Sequence, residues 1–312
     1  MRMPIARAAL AASLIVFVAA CEKKAEDTAA TAAAPAAAKT EGPDAAIQKS
    51  VALLKQGDIG GLMQHALPPA EFAKAKADWG KDAQPVTDED RKKFAETMEK
   101  LTAPDAEAKL YAELEPQLKT FDATYQQQIP MYVSMGSGWL QGMVQQNKDM
   151  SEPEKQQALA AINATAAWVQ KTRFTDPEAV KKVLAVVTKT ARALNLKSAD
   201  EARALTYDQS MEKARIGVQG VKEALAVYGF SLDQTLDSVK SEVISNDGKT
   251  AKVKISYTLF DTPLTGETEM VNLDGRWYGK HALEKAEDKA AATAGAAPAA
   301  PADAAAEAPA KD

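Results

Sequence analysis

Two histidines, His65 and His281, and one cysteine, Cys21, are the scarcest reactive side chains of this 312-residue chain. Imidazole and thiolate are the groups best suited to acid–base or nucleophilic work near neutral pH. Asp58 precedes His65 and Asp274 precedes His281, and a histidine within hydrogen-bond reach of a carboxylate can act as a general base. The two histidines are far apart in sequence and have no HExxH or second cysteine beside them, which is poor spacing for zinc. Gly248-Lys249-Thr250 ends like a phosphate-binding loop. The glycine such a loop needs five positions earlier is Val243, so the motif is rejected. No GxSxG occurs. The residues assemble no catalytic set, no metal site and no cofactor motif, which leaves His65 and His281 as the candidates if the chain is an enzyme.

The cysteine has a different context. Arg2 and Arg7 precede an apolar run from Ala8 to Ala20, and Val18-Ala19-Ala20-Cys21 closes it with small residues. A basic start, a short apolar stretch and small residues at a cut form an export signal. The run is shorter than the ~20 residues a bilayer span needs. Residues 18–21 resemble the lipobox of bacterial lipoproteins. That resemblance implies cleavage between Ala20 and Cys21, diacylglycerol on the Cys21 sulfur, an acyl (palmitate-type) chain on its amine, and anchoring in the lipid bilayer. Stable anchoring takes more than one chain. Glu22 rather than aspartate follows Cys21, and by resemblance to the lipoprotein sorting rule this implies the periplasmic face of the outer membrane.

Removing residues 1–20 takes away two basic residues and no acidic one, so the formal net charge falls from −5 to −7. An acidic chain is a poor partner for nucleic acid. With Cys21 acylated, no disulfide can form within the chain, and an exported domain of this length must rely on its core. Residues 21–43 read as the lipidated cysteine and a disordered Ala-rich tether. The 22 residues after Cys21 reach at most about 75 Å when extended. Residues 285–312, interrupted by Pro298, Pro301 and Pro309, read as a disordered tail.

Residues 44–284 carry the pattern of an α+β fold: a mostly helical body with a small antiparallel sheet of about four strands near 239–279. Ile47, Val51 and Leu54 line one face of a first helix, followed by short helices near 62–67 and 71–79. Thr87 caps a helix with Phe94, Met98 and Leu101 on one face. The stripe Leu110, Leu114, Leu118, Phe121, Tyr125 predicts another, kinked or broken at Pro116. Ser151…Glu154, Thr175…Glu178 and Ser198…Glu201 have capping-box spacing. Their helices are expected to bury Leu159, Ile162 and Val169, then Val180, Val183, Leu184, Val187 and Leu194, then a shorter set. Thr206…Gln209 opens a last long helix, which Gly229 stops. Val239–Ser245, Thr250–Phe260, Glu267–Leu273 and Arg276–Gly279 read as strands. In the second, Val253, Ile255, Tyr257 and Leu259 alternate with Lys252, Lys254, Ser256 and Thr258, which predicts one dry and one wet face. Asn246-Asp247-Gly248 and Asp274-Gly275 are hairpin turns.

The first helix with Gly57-Asp58-Ile59, the Asn246-Asp247-Gly248 hairpin and Asp274-Gly275-Arg276-Trp277-Tyr278 together resemble the NTF2-like, cystatin-like class of exported domains. The match covers about 90 residues, with some 150 helical residues between its two parts. The resemblance implies a helix packed on a curved antiparallel sheet, with a small-ligand cone between them near Trp277 and Tyr257. It implies no catalytic residues.

Residues 123–147 stand apart: 25 positions without a charge, in a chain that is 26% charged. Met131, Met135, Trp139 and Met143 recur every four residues, and Gly138 and Gly142 form a GxxxG pair. An uncharged helix ordinarily belongs in a core, so the first expectation is a buried central helix. The alternatives are a partner-binding surface, Cu(I) coordination by methionine and a bilayer span, which six glutamines and Asn147 argue against. Trp277 is expected to pack the sheet on its helices, Trp168 to sit inside the helical block and Trp79 to cover a domain end. The function expected from these residues is a non-enzymatic binding or scaffold module of the envelope with a protein partner. The alternatives are small-ligand binding in the cone and a histidine enzyme.

Overall fold

The computed structural model describes residues 41–81, 83–148 and 150–284. The expected signal, Cys21, most of the tether and the tail lie outside them. The expected α+β architecture is present, a helical body followed by a four-stranded antiparallel sheet. The helices are α1 (Pro43–Gln56), α2 (Ile59–Ala66), α3 (Pro69–Ala77), α4 (Asp88–Thr102), α5 (Ala106–Tyr125), α6 (Ile129–Gln146), α7 (Glu152–Lys171), α8 (Pro177–Leu194), α9 (Ala199–Ala204), α10 (Tyr207–Val227) and α11 (Leu232–Asp237). The strands β1 (Lys240–Asn246), β2 (Thr250–Leu259), β3 (Thr262–Leu273) and β4 (Arg276–Gly279) pair in sequence order as a meander.

Polar caps set most helix starts. Thr87 and Asp90 form a capping box, as do Ser151 with Glu154 and Thr206 with Gln209. At α8 the cap is not Thr175 but Asp176, whose carboxylate accepts from the Glu178 and Ala179 amides. Thr175 instead donates its hydroxyl to Asp122, because a carboxylate on a neighbouring helix is within reach. At α9, Ser198 accepts from the Glu201 amide, but Glu201 reaches past the cap to the Lys197 amide. Pro116 lies inside α5, which runs through it as one helix. The proline removes one amide donor, and its own carbonyl accepts from Thr120 Oγ1.

The helical body centres on α8, which packs against α4, α5 and α10. Val180, Leu184, Thr188 and Ala191 form its buried stripe. Thr188 is fully enclosed and its hydroxyl lies 3.0 Å from the Glu107 carboxylate. Gly220 of α10 lets the two helices approach, since a Cβ there would stand 2.4 Å from Thr190 Oγ1. Val187, expected in this core, is 37% exposed.

The sheet has the predicted dry face. Ala251, Val253 and Leu259 of β2 are buried, as are Leu264 and Met270 of β3 and Trp277 of β4. On the opposite face Lys252 reaches diagonally to Glu267 at 2.7 Å and Lys280 pairs with Glu269 at 2.7 Å, so opposite charges meet along the wet side. Two helices divide the dry face. Ala46 and Ile47 of α1 close over Ala251, Val253, Met270 and Trp277. At the other end Ala160, Ala161 and Trp168 of α7 pack on Leu259 and Leu264. There α7 presses so close that a Cβ on Gly266 would overlap Gln157 Oε1, at 1.8 Å. The most buried residues of α7 are therefore Gln157 and Ala164, not the expected Leu159, Ile162 and Val169.

β3 begins at Thr262, five residues earlier than expected. The turn before it consists of Phe260 and Asp261, both with positive φ (48° and 62°). Such a two-residue turn normally uses glycine or asparagine, and φ > 0 at a bulky residue costs of order 1–3 kcal/mol. The Phe260 ring stacks on Trp168 at 4.7 Å and meets Phe230 at 4.4 Å. Trp168 in turn sits edge-on to Phe174 and donates its Nε1–H to the Tyr228 carbonyl at 3.1 Å. Trp168 is thus a joint between α7, the end of α10 and the β2–β3 hairpin, not a member of the helical core. Phe260→Ala keeps the unfavourable φ and loses the stack. Chemical denaturation is expected to show a loss of about 3–5 kcal/mol, whereas a loss below about 1 kcal/mol would show that the joint does not hold the hairpin.

Candidate functional site

The exposed face of α6 is the outstanding surface among the described residues. Met131 is 58% exposed, Met135 64%, Trp139 66% and Met143 53%, and Tyr132 and Leu140 are also open. The expected burial of this helix is overturned. α6 forms a layer outside α7 and turns toward it the stripe containing Val133, Ser137, Gln141 and Val144, all half-buried. Gln141 anchors the contact by donating from Nε2 to the Asn163 side-chain oxygen Oδ1 at 2.9 Å. At 100° per residue, Met131, Met135 and Trp139 fall on the opposite side. The sequence showed an uncharged helix but not which of its sides would face inward.

Gly138 and Gly142 share the outward side. A Cβ built on Gly136, Gly138 or Gly142 would meet nothing within 4 Å. The GxxxG pair therefore makes no close helix contact within this chain, and it leaves a shallow groove beside the Met–Trp ridge. Successive members of that ridge lie about 6 Å apart along the axis, and Met131 and Met143 about 18 Å apart. That separation cannot put these thioethers on one copper ion. No group of three or more His, Cys, Asp or Glu side chains suited to a metal occurs among the described residues. No helix among them is long and apolar enough to cross a membrane.

At the base of this layer Asp122, near the end of α5, holds the α7–α8 turn. Its carboxylate accepts from Arg173 Nη2 at 2.8 Å and from the Thr175 hydroxyl. These two contacts, the hydroxyl first, hold the carboxyl below its ordinary range.

The other candidate residues are dispersed. His65 lies on α2 and contacts the Ala46 carbonyl through Nε2 at 2.8 Å; its Nδ1 is enclosed without a partner. Asp58 does not face it. That carboxylate caps α2 through the Gly61 amide and lies 3.7 Å from Arg215. His281 sits just past β4, its Nδ1 3.8 Å from Glu284 rather than beside Asp274. Trp277 is 6% exposed and packed under α1. Tyr257 belongs to the other apolar cluster, its hydroxyl accepting from Gln157 Nε2 at 3.2 Å. The two residues expected to line the cone thus sit in separate apolar clusters, one under α1 and the other under α7.

An open cleft of about 450 Å³ lies elsewhere, lined by Lys76, Trp79, Arg203, Thr206, Tyr207 and Asp208 among others. Its charged groups are already engaged. Lys76 bridges both Asp208 oxygens at 2.8 Å, and Arg203 donates to the Ala83 carbonyl. Trp79 packs edge-on to Tyr207 at 5.5 Å, and burial raises the Tyr207 hydroxyl above its usual range. Sequence reasoning also missed Lys222, a buried cation. It donates to the Lys55 carbonyl at the end of α1 and pairs with Asp233. Its position on a helix gave no signal, since its partners come from distant segments.

No protein-family model, curated protein or solved structure matches this chain.

Because the Asp122 carboxyl is depressed in the folded state, its contribution to stability is full above the unfolded value of about 3.9 and is lost as pH falls through the folded value. Asp122→Asn is expected to lower the urea midpoint most near neutral pH, with the gap to wild type closing at strongly acid pH. A gap independent of pH would show that the charge does not act in the clamp.

Proposed function

We propose that this chain is a lipid-anchored, non-enzymatic binding module of the bacterial envelope, with the outer face of α6 as its docking surface. The observation that carries this reading is the outward placement of Met131, Met135, Trp139 and Met143 on a charge-free helix. Contiguous exposed apolar surface of this kind marks interaction sites, and methionine adapts to its partner's shape. The lipobox at Cys21 supports the anchor, and Glu22 supports the periplasmic face of the outer membrane. The residues between Cys21 and Pro43 give the folded part room to reach a partner away from the bilayer surface.

A photo-crosslinking residue in place of Met135 tests the docking face in living cells. An adduct is expected there and not from Lys92 on α4; no adduct at position 135 under conditions that crosslink a control protein would count against the reading. Separately, Cys21→Ser is expected to leave an unprocessed or membrane-released protein. Normal recovery of that variant in the outer-membrane fraction would contradict the anchor.

A further inference from the structure

We infer that the occupant of the α6 face is a second copy of this chain, with α6 packed on α6 across a two-fold axis. The inference rests on the docking role assigned to this face and names its partner. Three observations lead to it. The first is shape. Met131, Met135 and Trp139 form a ridge, while Gly138 and Gly142 beside them form a groove that nothing in the chain fills. A ridge and a groove on the same helix are self-complementary, which is what an isologous contact requires. Glycines at this spacing let two helix backbones come close.

The second is charge. The chain is acidic, and juxtaposed like charges oppose association. Residues 123–147 carry no charge, so two copies can meet along α6 without facing repulsion. The same lack of lysine and arginine disfavours a lipid surface, since interfacial helices use basic side chains to hold headgroup phosphates.

The third is area. At ~200 Å² for a large side chain, the exposed fractions of Met131, Tyr132, Met135, Trp139 and Met143 leave roughly 570 Å² open. Stable interfaces bury roughly 600–1,000 Å² per partner. The helix, about 27 Å long, therefore supplies close to a full interface.

Oxidative trapping in isolated membranes tests this in the full-length chain. Gly138→Cys and Gly142→Cys each place one thiol beside the proposed axis, with Lys93→Cys on α4 as the control and the unsubstituted chain reporting any contribution of Cys21. A disulfide-linked dimer from position 138 or 142, at least tenfold above position 93 and abolished by adding Trp139→Lys, is the expected result. Trp139 is exposed, so the lysine variant is expected to keep its circular dichroism spectrum, and that measurement separates lost pairing from lost folding. Monomer at both glycine positions, with photo-crosslinking from Met135 to a different protein, overturns the second-copy inference and leaves the docking role standing. Monomer with a blue-shifted Trp139 emission on phosphatidylethanolamine vesicles overturns it in favour of lipid. Monomer with no adduct of any kind overturns both.

Discussion

The stack of Phe260 on Trp168 is the contact on which the arrangement of the layers depends. It closes a hairpin whose backbone is unfavourable at Phe260, and it fixes the end of α7 to the sheet. The hydrogen bond from Trp168 to the Tyr228 carbonyl then fixes the end of α10 to the same point. With α7 held there, its Gln157–Ala164 side lies on Gly266 and the dry face of the sheet. α6 stacks on the far side of α7 as an extra layer. Domains of two or three layers bury each apolar face against a neighbour; α6 keeps its most apolar face without one. The exposed stripe is thus a consequence of where the sheet places α7.

The sheet was largely legible in the residues. Alternation in β2, the Asn246-Asp247-Gly248 turn and the Asp274-Gly275 turn placed three hairpin elements, and β4 was read with its observed bounds. The missed start of β3 has a physical cause: Phe260-Asp261 adopts a turn conformation that local chemistry disfavours and tertiary stacking stabilises. α11 was missed because six residues give too little periodicity to read. At α8 the Thr175…Glu178 spacing pointed to Thr175 as the cap; Asp122 on a neighbouring helix takes that hydroxyl, and Asp176 caps the helix instead.

The site was legible in composition and not in orientation. A run of 25 uncharged residues is as consistent with a core as with an interface. The deciding fact is that Gln141 and Ser137 face α7 while Trp139 faces away, which depends on the packing of a neighbour more than ten residues distant. Trp277 and Tyr257 shared a predicted face and do lie on the same side of the sheet. Two different helices cover them, and they belong to separate apolar clusters. His65 and His281, the residues with the most chemistry in them, each lack the carboxylate partner that their sequence neighbourhoods suggested.

Methionine footprinting by hydroxyl radicals reads whether the outer face of α6 is open or covered, comparing the full-length chain in dilute detergent with the same chain in intact cell envelopes. Met131, Met135 and Met143 are expected to oxidise readily in the dilute chain, unlike the buried Met270, and to be protected in envelopes. Protection already present in the dilute monomer would return α6 to a core, and equal reactivity in both states would mean that nothing docks on its outer face.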